Sequence, residues 1–294
     1  MRVVVASDAV AGLTPAAASE QIARAFAERG VAVAVVPLAA TGQGLREGVA
    51  ACCPSAVFAA PTTTAELAEA LAAGADQLVV DLSGLSVDDL GRSLFDADPA
   101  DSLAQLRRSW AGRELTALVP EEEVERPLTG LSGHASTALR AEGADLNAIL
   151  LADAEAERWA AELGVEPSQG SGAARGLGLI LAAIGGQVTD PLTFLAARFD
   201  LAATMARADL VVTGAESLDF HALGGPVVKR VAQLAAAALR PVIAVVGRNF
   251  VSSRELRLGG FETAYPLVPA ASTQNATPER LAEVAEQVAS TWQW

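Results

Sequence analysis

Short runs of valine, isoleucine and leucine alternate along this chain with longer, alanine-rich stretches. The run RVVVA at 2–6 is apolar on both faces, which is typical of a strand in a covered parallel sheet. A helix is predicted from Pro15 to Arg29, with Thr14 as its N-cap and Gly30 just beyond its end. The alternation predicts an α/β fold, with a doubly wound, mainly parallel, Rossmann-like sheet of six or seven strands. The other predicted strands are 31–36, 77–82, 114–119, 209–214, 241–246 and 262–267, and the other predicted helices are 63–73, 87–95, 100–109, 136–162, 173–185, 191–206, 226–239 and 278–291.

The expected domain boundaries follow from where the alternation of strand and helix patterns becomes weak. Residues 120–192 show the weakest strand pattern and are mostly helical in character. We therefore expect a main Rossmann-like domain built from 1–119 and 193–294, with 120–192 forming a smaller, mostly helical lobe.

Composition narrows the classes of partner. Hydrophobic residues make up 51% of the 294 residues, and the formal net charge is −14. An acidic surface repels phosphate backbones and anionic lipids, so neither nucleic acid nor a membrane is an expected partner. Adjacent Cys52 and Cys53 exclude a disulfide framework, and no apolar run reaches the roughly 18 residues of a membrane span. We expect a cytoplasmic protein. The sequence is also compatible with a homo-oligomer.

Ligands of open α/β sheets bind at the carboxyl ends of the strands, so the segments that leave the strands are the candidates. Asp8 follows the first strand and can hold a ribose, a magnesium ion or a substrate hydroxyl, or it can simply cap a turn. In 82–92, the donors of Ser83, Gly84 and Ser86 can meet phosphate, and Asp88 and Asp89 can hold magnesium. The alternative for this segment is a capped helix with acids in its first turn.

Two further segments carry candidate chemistry. In GSGAARGLG, Gly170 and Gly172 allow close backbone approach, and Arg175 suits a phosphate or carboxylate; close helix packing is the alternative. In 213–226, Gly214, Glu216, Asp219 and His221 follow a strand end, and a solvated loop is the alternative. The chain has no P-loop, because its one lysine, Lys229, follows Val228.

These segments, in this order, resemble the glycerate kinase family, which transfers the γ-phosphoryl group of ATP to D-glycerate. DLVVTGAESLDFHALGGPVVK resembles the family's D-L-V-I-T-G-E-G-R-L-D-S-Q-T-x-x-G-K-V-P block, and RPLTGLSG matches its N-P-L-x-G-x-x-G. SDAVAGLT, PLAATGQGL, LSGLSVDD and PSQGSGAARGLG resemble other blocks of the family. The resemblance implies ATP and magnesium as cofactors and a small hydroxy acid as substrate. It implies catalytic roles for Asp8 and Asp219, nucleotide contacts from Ser83, Gly84, Ser86, Gly170, Gly172, Arg175, Gly214 and Glu216, and magnesium at Asp89.

The chain departs from the family at charged positions. The two family lysines fall on Ala11 and Pro226, and acids of the family fall on Ala40, Gln43 and Ala215. Phosphoryl transfer depends on cations that offset charge on the transferring group, so these losses bear on activity. Two hypotheses stay open: an active kinase, in which Arg175, Lys229 and Arg248 replace the lysines, or a catalytically degenerate member. The degenerate member would bind a small anion, a nucleotide or another protein.

Overall fold

The computed structural model describes residues 1–95 and 98–292, which divide into two compact units. The first unit contains Met1–Cys52 and the chain from Leu192 onward. Its sheet has the strand order β2-β1-β7-β8-β9, and every pairing in it is parallel. The strands are β1 (Arg2–Val5), β2 (Ala32–Val35), β7 (Leu210–Leu218), β8 (Val242–Asn249) and β9 (Thr263–Pro266).

Helices cover this sheet because its central strands are apolar on both faces. Val3, Val5 and Val212 are almost fully buried and share a core with residues of the helices. The first helix begins at Pro15, whose missing N–H needs no partner there, and Thr14 Oγ1 accepts the N–H of Ala17. The helices of this unit are α1 (Pro15–Ala27), α2 (Gly42–Cys52), α8 (Pro191–Arg198, whose first residue belongs to the second unit), α9 (Leu201–Ala206), α10 (Gly225–Ala237), α11 (Ser253–Leu258) and α12 (Pro278–Thr291).

The second unit is one continuous segment, Cys53–Pro191, with its own parallel sheet in the order β3-β4-β5-β6. Trp159 is fully buried in its core, and its indole Nε1–H donates to the Leu90 carbonyl at 3.1 Å. Its strands are β3 (Val57–Ala59), β4 (Gln77–Asp81), β5 (Glu114–Leu118) and β6 (Gln187–Thr189). Its helices are α3 (Thr64–Ala72), α4 (Pro99–Ser109), α5 (His134–Ala141), α6 (Leu146–Leu163) and α7 (Leu177–Ala183).

The α/β class and the mainly parallel pairing are confirmed, but the prediction of one sheet is wrong. Strands 77–81 and 114–118 pair in a second sheet with the three-residue strands Val57–Ala59 and Gln187–Thr189. Strands this short carry too little periodicity to be recognised in the sequence. The units separate near Cys53 and Pro191, so the second boundary agrees with the expected one at 192, whereas the first lies well before the expected one at 120.

Helix boundaries also differ where the backbone turns left-handed. The predicted helix 136–162 is interrupted by Gly143, at φ 82°, and Asp145 then caps α6 by accepting the N–H of Ala148 at 2.8 Å. The predicted helix 87–95 is replaced by a turn and a short 3-10 helix, Arg92–Leu94. Among the described residues, no helix combines the length and the apolarity needed to cross a membrane.

Candidate active site

The carboxyl ends of β1 and β7 lie side by side in the first unit. The parallel pairing continues beyond β1, because Asp8 N–H donates to the Gly214 carbonyl at 3.0 Å. A Cβ atom on Gly214 would lie 2.5 Å from both Ser7 Oγ and the Val245 carbonyl oxygen. Close approach of three chain segments therefore requires glycine at 214, which gives this candidate nucleotide contact a packing role.

Two carboxylates, those of Asp8 and Glu216, lie near this edge. The Asp8 carboxyl is half-buried, and its Oδ1 accepts the N–H of Ala9 at 2.7 Å. Burial raises the pKa of Asp8 above its usual value, the Ala9 N–H opposes this, and the charge of Glu216 adds to the rise. Glu216 is exposed, and its Oε1 accepts the N–H of Gly12 at 2.9 Å. A half-buried carboxyl with a raised pKa, at a strand end, is suited to accept a proton from a hydroxyl group.

Asp219 has a different environment, in the turn between β7 and α10. Its Oδ1 accepts the N–H of Ala222 at 2.7 Å and that of His221 at 2.9 Å. The Ala222 hydrogen bond is the main reason that the pKa of Asp219 lies below its usual value, and the nearby charge of Lys229 also lowers it. The carboxylate orders its own turn, and its lowered pKa makes it a weaker base than Asp8.

Arg248 and Lys229, two cations of the first unit, differ in how far they are already engaged. Arg248 Nη2 donates to the carbonyls of Gln274 at 2.7 Å and Ser272 at 3.3 Å, so its guanidinium ties down the segment after β9. Lys229 is exposed on α10. Lys229 is therefore the better placed of the two to meet an anionic ligand near Asp219.

In the second unit, the turn after β4 contains the predicted phosphate donors. Asp81 Oδ1 accepts the N–H of Ser83 at 3.0 Å, while Ser83, Gly84 and Ser86 are exposed to solvent. A Cβ atom on Gly84 would meet nothing within 4 Å. The turn leaves room for a ligand, but packing does not require glycine at 84.

Both carboxylate oxygens of Asp89 are engaged by the backbone of the turn that follows it. Its Oδ1 accepts the N–H of Gly91 at 3.0 Å, and its Oδ2 accepts that of Ser93 at 2.8 Å, so both oxygens cap the following 3-10 turn. Within residues 1–95 and 98–292, no group of three or more His, Cys, Asp or Glu side chains is arranged to hold a metal ion.

The Gly-rich segment near α7 is shaped by packing. A Cβ atom on Gly172 would lie 2.1 Å from the Pro127 carbonyl oxygen, and one on Gly170 would lie 2.8 Å from that of Val124. Both glycines, predicted as nucleotide contacts, therefore have a structural explanation. The next turn is left-handed at Ala174 and Arg175, with φ of 45° and 57°, and Ala174 N–H donates to Glu123 Oε2 at 2.7 Å.

Arg175 lines a cavity of about 220 Å³ in this unit. Its Nη1 lies 3.0 Å from Asp88 Oδ1, and its Nη2 lies 2.7 Å from Glu142 Oε1. Sequence reasoning singled out Arg175 and Asp88 but missed Glu142 and His134, which also line the cavity. No local pattern could reveal this, because Glu142 and Arg175 are 33 residues apart.

Comparison with known proteins identifies the family. The glycerate kinase family model matches residues 64–293. Two uncharacterised proteins, from Mycobacterium bovis and Mycobacterium tuberculosis, are each 32% identical over 228 residues, covering 76% of this chain and 58% of theirs. A putative glycerate kinase 2 from Salmonella typhimurium LT2 shares the fold, with a TM-score of 0.70, 20% identity, and coverage of 99% of this chain and 98% of that one. The family match spans most of the sequence, and this chain belongs to the glycerate kinase family.

Proposed function

We propose that this chain is a phosphotransferase that moves the γ-phosphoryl group of ATP to D-glycerate or a related small hydroxy acid. Membership of the glycerate kinase family supports the reaction class. The observation that carries the proposal is the Asp8 carboxyl, half-buried at the end of β1, with its pKa raised by burial and by Glu216. A group of this kind matches the need of the reaction for a proton acceptor.

In the proposed reaction, the substrate hydroxyl lies against Asp8 and gives its proton to that carboxylate as its oxygen bonds to the γ-phosphorus. The bond between that phosphorus and the β,γ-bridging oxygen breaks, and ADP leaves. Oδ1 of Asp8 is held by Ala9, which leaves Oδ2 for the hydroxyl. Glu216 holds the loop after Asp8 through Gly12, so the acceptor is fixed in place before the substrate binds.

Charge compensation is the weak part of this site. Phosphoryl transfer is catalysed largely by positioning and by cations beside the transferring group. Ala11 and Pro226 occupy the positions of two family lysines by resemblance, and Lys229 is the remaining lysine of the chain. We therefore expect slow turnover, and a further drop when Lys229 is replaced by Met.

The proposal is tested by following ADP release from ATP and magnesium in the presence of D-glycerate, L-glycerate or D-lactate. Asp8→Asn should lower kcat by about a hundredfold or more, because an amide cannot accept the proton. Asp209→Asn is the matched control, since Asp209 lies at the amino end of β7, where its Oδ2 accepts the N–H of Arg2 at 2.7 Å. The control should keep wild-type turnover.

Two results would count against the proposal. An Asp8→Asn protein with wild-type kcat would remove Asp8 from the chemistry. Binding of ATP with no release of ADP in the presence of any of the hydroxy acids would instead favour the degenerate member. That member binds a ligand and does not turn it over.

A further inference from the structure

The cavity beside Arg175 has chemistry that the proposed phosphotransfer does not use. It lies within the second unit and is lined by the segment that follows β4, by α5 and α6, and by Arg175. Its polar lining includes Arg175, Asp88, Glu142 and His134. Its apolar lining consists of Val87, Leu90, Ala135, Leu139, Ala152 and Ala156.

Two left-handed turns fix the shape of the cavity. Leu90 and Gly91 have φ of 59° and 83°, and they face the second left-handed turn, which ends at Gly176 with φ 99°. A Cβ atom on Gly176 would lie 3.0 Å from Leu90 Cδ2, and one on Gly91 would lie 2.7 Å from Ile180 Cδ1. The contact between the turns is tight, so the cavity is formed before any ligand enters.

The charged groups of the cavity are only partly used. Arg175 donates from one Nη to Asp88 and from the other to Glu142, so two of its five N–H donors are engaged. Asp88 and Glu142 each use one oxygen in these pairs, and their side chains are 90% and 51% exposed. The other two acids of the lining are engaged elsewhere: Asp89 with backbone N–H groups and Glu155 with Arg92.

His134 also lines the cavity. Its Nδ1 is buried and has no hydrogen-bond partner among the described residues, so this nitrogen is not open to a ligand. Burial lowers the pKa of the imidazole, the charges of Arg175 and Arg126 lower it further, and the carboxylates of Glu123 and Glu142 oppose them. The ring is therefore neutral at neutral pH and adds no positive charge to the cavity.

This combination of groups selects a ligand by charge. A simple anion would meet Arg175 but would be repelled by Asp88 and Glu142, which already surround the guanidinium. A simple cation would meet the carboxylates but would leave the remaining N–H donors of Arg175 covered and unpaired, which is unfavourable. A molecule with one group of each sign satisfies both sides and adds no net charge.

We infer that this cavity binds a small aliphatic α-amino acid in its zwitterionic form. The ligand carboxylate takes the remaining N–H donors of Arg175, and its ammonium group donates to Asp88 and Glu142. The hydrocarbon side chain packs on Leu139 and the alanines of the apolar side. This inference does not depend on the proposed phosphotransfer, because that proposal rests on Asp8, Glu216 and Lys229, and none of these residues lines the cavity.

Three probes that share the isopropyl group of valine test the inference by isothermal titration of the full chain. L-Valine carries both charges, isovalerate carries only the anion, and isobutylamine carries only the cation. Valine should bind saturably, and the other two should bind about tenfold more weakly or worse, because each lacks one of the two charged contacts.

Variants then locate the site. Arg175→Gln and Glu142→Gln should each weaken valine binding about tenfold or more. Arg158→Gln is the matched control, since Arg158 is an exposed arginine of α6 whose Nε donates to the Ala154 carbonyl, and it should bind valine as the wild type does. If Arg175→Gln does not fold, Asp88→Asn provides the second variant, because its side chain lies almost entirely in solvent.

Three outcomes would overturn the inference. The first is that none of the probes binds to the folded wild-type chain. The second is that isovalerate or isobutylamine binds as tightly as valine. The third is that valine binding is unchanged in Glu142→Gln and Asp88→Asn.

Discussion

Replacement of Gly214 by alanine should destabilise the first unit severely. The new Cβ atom would lie 2.5 Å from Ser7 Oγ, 2.5 Å from the Val245 carbonyl oxygen and 3.0 Å from Val10 Cγ2. These contacts come from three directions, and one is a backbone atom of the neighbouring strand, so no single rotamer change relieves them. Overpacking of this kind costs about 3 kcal/mol. For a domain of this size that loss lowers the unfolding temperature by about 6–12 °C.

Thermal unfolding followed by circular dichroism measures this loss directly. Gly84→Ala is the matched control, because a Cβ atom on Gly84 meets nothing within 4 Å and its φ is not left-handed. The control should stay within about 0.5 kcal/mol of the wild type. A Gly214→Ala protein that unfolds within about 1 °C of the wild type would refute the packing explanation and leave the nucleotide contact as the reason for glycine.

Three further predictions concern buried or hydrogen-bonded side chains. Trp159→Phe should destabilise the chain by about 1–3 kcal/mol more than Trp110→Phe does. The first change leaves the Leu90 carbonyl without its hydrogen-bond donor, whereas Trp110 Nε1 has no partner among the described residues to lose. Chemical denaturation of both variants measures the difference. Asp219→Ala should lower the unfolding temperature at pH 7. Because the folded-state pKa of Asp219 lies below the usual 3.8, the difference from wild type should shrink as the pH falls through and below that value. The pKa of Asp8 is raised, so Asp8→Asn should have the opposite effect and raise the unfolding temperature at pH 7. Below about pH 3.8 the substitution should have no such effect. The prediction would be contradicted if the variant and the wild type unfolded at the same temperature at both pH values.

The sequence predicts the sheet that long strands form and misses the one that short strands complete. Residues 2–6 and 209–214 are apolar on both faces, and they pair at the centre of the first sheet as expected. Val57–Ala59 and Gln187–Thr189 have only three residues each, so the pattern that would identify them is absent. The partners that close the second sheet therefore become visible only in three dimensions.

The candidate site shows the same limit. The rule that ligands bind at strand ends led to Asp8 and Glu216, and these residues do lie together at one sheet edge. The roles assigned to them remain predictions. The same rule could not show that Arg175 is held by Glu142, because ion pairs between distant segments leave no periodic trace in the sequence.

The first unit is assembled from two separated pieces of chain, and this affects the order in which the protein can fold during synthesis. β1 and β2 are translated early, but β7, which covers the other edge of β1, begins only at Leu210. The second unit closes its sheet within one continuous stretch and can fold as it leaves the ribosome, since domains generally fold as units. Until β7 emerges, the apolar edge of Val3, Val4 and Val5 stays unpaired and open to wrong partners. Slow or stalled translation between residues 53 and 209 should therefore increase aggregation of the nascent chain more than a stall after residue 218 does.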